Sequence, residues 1–202
     1  MIAVSKDQPL PLLTAAREAG VTDFGENYLQ EALAKLAALP RQGVTWHFIG
    51  QLQSNKTRPV AERFDWVHTV DRERTAARLA AQRPDALPPL QVCLQVSVEP
   101  EPGKGGATPE ALGPLAQAVA QLPRLKLRGL MCVPPPGASV AVSRARFARV
   151  RALKDQLNAA GHALDVLSIG MSDDFENAIL EGATHVRIGT AVFGRRAPAA
   201  PA

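Results

Sequence analysis

The chain has 202 residues, of which 46% are apolar and 21% charged, with a net charge of +4 and a pI near 9.4. This length suits one domain with a sizeable core, and the mild positive charge favours anionic ligands without by itself indicating nucleic acid. No run approaches the ~18 apolar residues of a membrane span, Met1-Ile2-Ala3-Val4-Ser5-Lys6 has no basic leader region, and Cys93 and Cys132 lack disulfide or metal spacing. The expectation is a soluble, cytoplasmic protein with no metal site, no membrane or nucleic-acid partner, and two buried structural thiols.

Short apolar runs alternate with amphipathic segments. Residues 2–5 read as a strand and 12–19 as a helix closed by Gly20, a good residue just past a helix end. A strand at 22–25 leads to a helix with Leu29, Leu33, Leu36 and Leu39 on one face. A strand at 45–49, a helix near 59–64, a strand at 66–70, a helix at 73–82 and a Val/Leu-rich strand at 90–98 follow. Gly103-Lys104-Gly105-Gly106 reads as a rim loop with Lys104 as an auxiliary cation, after which Thr108 and Pro109 suit an N-cap and a first helical turn. The pattern ends with a strand at 127–133, a Pro-Pro-Pro-Gly turn, a long helix at 143–160, a strand at 166–169, a helix at 173–180 and a strand at 185–188.

Strands alternating with helices imply parallel βαβ units, and eight of them imply a single closed (β/α)8 barrel, shorter than the ~250 residues usual for that fold. A doubly wound open sheet is the alternative. Residues 1–194 would form the barrel and 195–202 a disordered Ala/Pro tail. No amphipathic helix follows the eighth strand, so the seam between strands eight and one is expected to show an exposed apolar strip, unless a native start further upstream supplies a helix.

In a parallel barrel the functional groups collect at the C-terminal ends of the strands. Those ends carry Lys6, Glu26-Asn27-Tyr28, His47, His68, Met131, Gly170-Met171-Ser172, Arg187 and Gly189-Thr190. Lys6 over the barrel mouth would lose hydration, which favours a neutral amine able to form an imine; an ordinary strand-end lysine is the plain alternative. Ser172 before a helix, together with Gly189 and Thr190, suits a phosphate, since barrels often bind one with the loops after strands seven and eight. Asp173 and Asp174 are expected to face away from it, and plain N-capping is the alternative for this segment. Arg187 between Val186 and Ile188 must have a partner, either a carboxylate or the ring nitrogen of a pyridine cofactor. His47 and His68 read as satisfied core or rim histidines, and Arg144, Arg146, Arg149 and Arg151 as a solvated helix face.

Six segments in order carry a resemblance. They are Ala3-Val4-Ser5-Lys6, Phe24-Gly25-Glu26-Asn27-Tyr28, Trp46-His47-Phe48-Ile49-Gly50-Gln51-Leu52-Gln53-Ser54-Asn55-Lys56, Arg128-Gly129-Leu130-Met131, Leu167-Ser168-Ile169-Gly170-Met171-Ser172-Asp173-Asp174, and the run from Val186-Arg187-Ile188-Gly189-Thr190-Ala191 to Phe193-Gly194. Over about residues 2–194 the chain resembles the pyridoxal phosphate homeostasis proteins (the YggS/PROSC family). That resemblance implies a barrel of the alanine racemase N-terminal domain type, with pyridoxal 5′-phosphate (PLP) held as a Schiff base on Lys6. It implies that Ser172, Gly189 and Thr190 hold the phosphate, that Arg187 faces the ring nitrogen, and that Asn27 and Met171 belong to the same cofactor site. It also implies a role in vitamin B6 homeostasis, with delivery to PLP-dependent apoenzymes as a candidate step. The family's helix before the lysine strand is absent here, and the segment after Pro134-Pro135-Pro136 is short.

The expected function is a monomeric cofactor carrier or regulator without catalytic residues. The alternative is a PLP-dependent racemase-like enzyme of low activity: two-base racemisation needs an acid–base group on each face of the substrate, and with Tyr28 the one tyrosine little or no racemase activity is expected. A phosphosugar barrel without PLP and a basic nucleic-acid binder are more distant alternatives.

Overall fold

Strands that are buried on both faces read as nearly continuous apolar runs, and the eight runs of this chain close on one another. The computed structural model describes residues 1–99 and 105–194; the tail at 195–202 and the loop residues Gly103 and Lys104 lie outside the described residues. The strands are β1 (Ile2–Val4), β2 (Asp23–Glu26), β3 (Thr45–Phe48), β4 (Trp66–Val70), β5 (Leu90–Gln95), β6 (Leu125–Met131), β7 (Val166–Met171) and β8 (His185–Ile188). They form a closed barrel in sequence order, every neighbouring pair parallel, with β8 joining β1 through Ile2 opposite Arg187 and Ala3 opposite Ile188. The doubly wound alternative is therefore excluded.

The helices between them are α1 (Leu10–Glu18), α2 (Leu29–Ala38), α3 (Thr57–Arg63), α4 (Glu73–Gln82), α5 (Leu112–Ala120), α6 (Val140–Ala159) and α7 (Phe175–Leu180), and a single turn, α8 (Thr190–Phe193), follows β8. Helix α6 starts earlier than the apolar spacing predicts because the Ser139 hydroxyl accepts from the Val142 N–H, a cap that outweighs the weak local pattern. Thr108 occupies its expected N-cap position, but its side chain makes no capping bond, and a 3₁₀ turn at Pro109–Ala111 precedes α5.

The strand faces divide two environments. Phe24, Trp46, Phe48, Val67, Leu94, Leu130 and Leu167 pack outward under the helices in the main core. Cys93, Met131 and Val166, with Trp66 against them, form a smaller separate cluster. Both cysteines are buried, and burial pushes the Cys93 thiol up to about 12 and the Cys132 thiol up to about 11, so neither is a ready nucleophile.

In this architecture the position between β8 and β1 belongs to the helix after β8, flanked by α7 and α1. Among the described residues the single turn α8 follows β8. Ile179 and Leu180 of α7 are 52% and 65% exposed and Leu12 of α1 is 41% exposed. The arginine-rich face of α6 is less solvated than expected. Arg144 and Arg151 both bond the Glu181 carboxylate beyond α7, Arg146 pairs with Glu99, and Arg149 donates to the Val98 carbonyl. Among the described residues no helix is long and apolar enough to cross a membrane, and no metal-ligating cluster occurs.

Candidate functional site

A cavity of about 350 Å³ opens at the C-terminal ends of the strands. Lys6, Asn27, Met171, Ser172, Arg187, Gly189 and Thr190 all line it, joined by Val4, Gln8, Ile49, Val133 and Asp173. The seven residues singled out in the sequence, from β1, β2, β7 and β8 or the loops after them, thus meet around one space.

Lys6 follows β1 directly and is half-buried, with its ammonium 5.9 Å from the centre of the Tyr28 ring. Its backbone is pinned on both sides. The Ser5 N–H donates to the Gly25 carbonyl at 2.9 Å, and the Ser5 hydroxyl donates to Glu26 Oε1 at 2.6 Å. Lys35 Nζ, buried beneath, donates to the Ser5 carbonyl at 2.5 Å and to Glu26 Oε1 at 2.8 Å, and also reaches Glu31. On the other side Asp7 turns with φ 57, and its N–H donates to Glu31 Oε1 at 2.7 Å. Left-handed backbone is uncommon outside glycine and tolerated best by Asp and Asn. Sequence reasoning noted Glu26 but missed Lys35 and Glu31; their i, i+4 spacing on α2 was the available signal. Burial pushes the Glu26 carboxyl above its ordinary range, opposed by the bonds from Lys35 and Ser5.

Another part of the cavity wall is built by the loops after β7 and β8, with Gly189 beside Val4 of β1. Gly170 takes φ +90, and a Cβ there would lie 2.5 Å from the Ala178 methyl, so only glycine lets the chain turn this closely under α7. The Gly189 N–H donates to the Ser172 hydroxyl at 3.3 Å, tying the two loops together. Among the described residues the N–H groups of Thr190 and Ala191 have no protein acceptor. Asp174 faces away as expected, its carboxylate accepting from the Met171 N–H at 2.7 Å. Asp173 is exposed and borders the cavity beside Ser172.

Arg187, 4% exposed, also lines the cavity. Of the two partners considered, a carboxylate is not there: among the described residues none lies within ion-pair distance. Its guanidinium donates instead to the Ser168 carbonyl at 2.5 Å, the Ser168 hydroxyl at 2.9 Å and the Cys132 carbonyl at 2.9 Å. Burial lowers its pKa to about 10, which still leaves it a cation at neutral pH. Asn27 Oδ1 is buried beside the cavity without a protein partner, an orphan acceptor that a ligand donor would satisfy.

His47 and His68 are not at the mouth. They sit inside the barrel below it, His47 bonded to Asp23 and to His68, and His68 to Ser168. They are satisfied core histidines, as the plainer expectation held. Burial lowers the pKa of His47, holds His68 well below the ordinary value, and brings the neighbouring His185 to about 4. A histidine with a depressed folded pKa binds a proton more readily once unfolded, so stability is complete above about 6.5 and lost as pH falls toward the folded value. Asp23, whose pKa is lowered mainly by the bond from His47, keeps its contribution through this window and loses it only at lower pH. The melting temperature is therefore expected to fall steadily between about pH 7 and about pH 4.5, each histidine adding at most about 1.4 kcal/mol per pH unit. Thermal unfolding followed by circular dichroism across that range checks this; a flat profile contradicts it.

The profile of the alanine racemase N-terminal domain family matches residues 1–197. A curated relative, the pyridoxal phosphate homeostasis protein of Pseudomonas aeruginosa, is 58% identical over 202 residues, covering the whole chain and 86% of that protein. The protein of the same name from Escherichia coli K12 is 50% identical over 200 residues, 97% of this chain and 85% of its own. Among solved structures, PipY of Synechococcus elongatus with PLP bound is 40% identical with a TM-score of 0.88, over 96% of this chain and 91% of that one. Barrel, cavity, family profile and relatives agree: the chain belongs to the alanine racemase N-terminal domain family and, within it, to the pyridoxal phosphate homeostasis proteins.

Proposed function

We propose that this chain binds PLP as a Schiff base on Lys6 and serves vitamin B6 homeostasis as a carrier or regulator, passing the cofactor to PLP-dependent apoenzymes. The observation that carries this reading is one cavity lined by the Lys6 amine, the paired loops after β7 and β8, and the buried Arg187 cation. The solved structure of PipY with PLP bound supports it.

The residues present fit the cofactor. Lys6 supplies the amine, with its backbone fixed by Ser5 and Asp7. The Ser172 hydroxyl and the free N–H groups after Gly189 are donors suited to a phosphate, with the Thr190 hydroxyl beside them. Arg187, always a donor and a cation here, would face the ring nitrogen and keep it unprotonated, which weakens the ring as an electron sink. Asn27 offers its orphan oxygen. PLP, when bound, supplies an aldehyde carbon that an amine can hold reversibly.

We read the chain as a carrier rather than a fast enzyme. The one tyrosine is 53% exposed with its ring centre 5.9 Å from the Lys6 amine, beside the first acid–base candidate, whereas two-base racemisation needs its groups on opposite faces. Racemisation of alanine by the purified chain at about 1 s⁻¹ or faster would contradict this. The binding claim is tested by titrating PLP into the cofactor-free chain while following absorbance. The wild type is expected to develop the yellow band of a protonated pyridoxal imine. Lys6→Ala should lose the band and bind at least about tenfold more weakly, or about 1.4 kcal/mol. A band that persists in Lys6→Ala would place the imine elsewhere.

A further inference from the structure

The barrel interior holds a polar chain that the roles above leave unused. Asp23 Oδ1 lies 3.0 Å from His47 Nε2, and His47 Nδ1 lies 2.9 Å from His68 Nε2. His68 Nδ1 lies 2.9 Å from the Ser168 hydroxyl, which lies 2.9 Å from Arg187 Nη1. Asp23 is 35% exposed at the far end, while His47, His68 and Ser168 are fully buried.

The two ends fix every proton between them. A guanidinium only donates, so the Ser168 oxygen accepts from Arg187 and its own hydrogen is free for His68 Nδ1. His68 then carries its proton on Nε2 and gives it to His47 Nδ1, and His47 carries its proton on Nε2, facing the Asp23 carboxylate. The opposite ordering would set a bare His47 nitrogen against a carboxylate. All four bonds therefore run one way, from Arg187 to Asp23, through two neutral rings. Their dipoles turn negative ends to the arginine and positive ends to the aspartate, which favours both charges at once.

Arg187 gains from such help, since a buried cation is costly, its other partners are two carbonyls, and the Asp174 carboxylate acts on it only through space while bonded to the Met171 N–H. The groups facing the chain from other strands are Trp66 of β4, stacked 5.6 Å from His47, His185 of β8, about 6 Å from both rings, and Cys93 of β5. Arg128 of β6 lies over the Trp66 ring, 5.0 Å away. None of these is an anion near neutral pH; the carboxylates that act on the chain through space are Asp65, on His47, and Asp174, on Arg187, neither of which bonds a member of it, and the N-terminal amine acts on His47 and Asp23.

We propose that Asp23, His47, His68 and Ser168 are positioning residues for the cofactor site, relaying a remote counter-charge to Arg187 and holding its guanidinium toward the cofactor ring. This rests on the reading of Arg187 given above. The relay moderates the positive field at the ring. Cutting off the aspartate charge strengthens that field and disfavours the protonated imine on Lys6.

The test has two arms. In the cofactor-free wild type, nitrogen-15 NMR at neutral pH should show both His47 and His68 as Nε2–H tautomers; an Nδ1–H tautomer at either would overturn the proposal whatever the cofactor does. In the PLP-loaded chain, the pH midpoint for loss of the yellow band is compared among wild type, Asp23→Asn, Ser168→Ala and the double variant. Asp23→Asn should lower the midpoint by about half a pH unit, and should cause no shift once Ser168→Ala has cut the chain, a coupling that a double-mutant cycle isolates. An equal shift in both backgrounds means that Asp23 acts through space and overturns the relay, as does no shift in either. A wild type with no yellow band would instead overturn the cofactor reading and this proposal with it.

Discussion

Lys35→Met is expected to destabilise the chain by about 3–5 kcal/mol, the usual cost of stranding one member of a buried ion pair. Lys35 is 6% exposed and Glu26 is fully buried, with Glu26 Oε2 already lacking a partner. Without the ammonium, Glu26 keeps only the Ser5 hydroxyl. Its pKa, already raised by burial, would rise further. A carboxyl whose folded pKa exceeds its unfolded value contributes stability at low pH that is lost as pH rises through the folded value. The loss should therefore be larger at about pH 8 than at about pH 5, and the double variant with Glu26→Gln should recover a substantial part of it. Because Lys35 also holds the Ser5 carbonyl beside Lys6, PLP binding should weaken even where the variant remains folded. Denaturant unfolding at the two pH values decides the matter; a loss below about 1 kcal/mol at both would show that the pair is not the anchor described.

Gly129→Ala is expected to cost about 3 kcal/mol or more, as an insertion that the core cannot absorb without moving backbone. Gly129 pairs with Cys93 of β5 and Val166 of β7 in the barrel wall. A Cβ there would stand 1.9 Å from the Val166 carbonyl oxygen and 2.6 Å from its carbon. The obstacle is backbone in the sheet itself, so relief requires β6 and β7 to separate. That separation would reach the site, because Ser168 and Met171 lie on β7. Denaturant unfolding of Gly129→Ala beside Gly113→Ala, whose added Cβ meets nothing within 4 Å, separates the clash from the general effect of replacing glycine. Similar stability of the two variants would contradict the account.

Much of this was legible in the sequence, for physical reasons. The strands stand out because burial on both faces makes each an apolar run, as at Leu90–Gln95 and Val166–Met171. The cofactor-site residues stand out because strand ends are where polar types interrupt those runs, and Lys6, Asn27, Ser172, Arg187, Gly189 and Thr190 do so. The same double burial hides which side of a strand faces inward. Trp46 and His47 are neighbours, and the sequence does not say that the indole goes under the helices while the imidazole enters the barrel. That choice created the chain from Asp23 to Ser168, and it explains why Arg187 needs no adjacent carboxylate. The ends of helices were also obscured, since α6 begins at a serine cap rather than at an apolar repeat. Asp173 and Asp174 look alike in sequence, whereas the Asp174 carboxylate caps a loop amide and Asp173 borders the cavity.

The most direct test of the central claim is to load the chain with PLP, reduce it with borohydride, digest it and map the added mass. The account predicts one modified peptide, with the pyridoxyl group on Lys6 and the yellow band lost on reduction. A pyridoxyl group on another lysine, or no covalent adduct from a saturated sample, would contradict it.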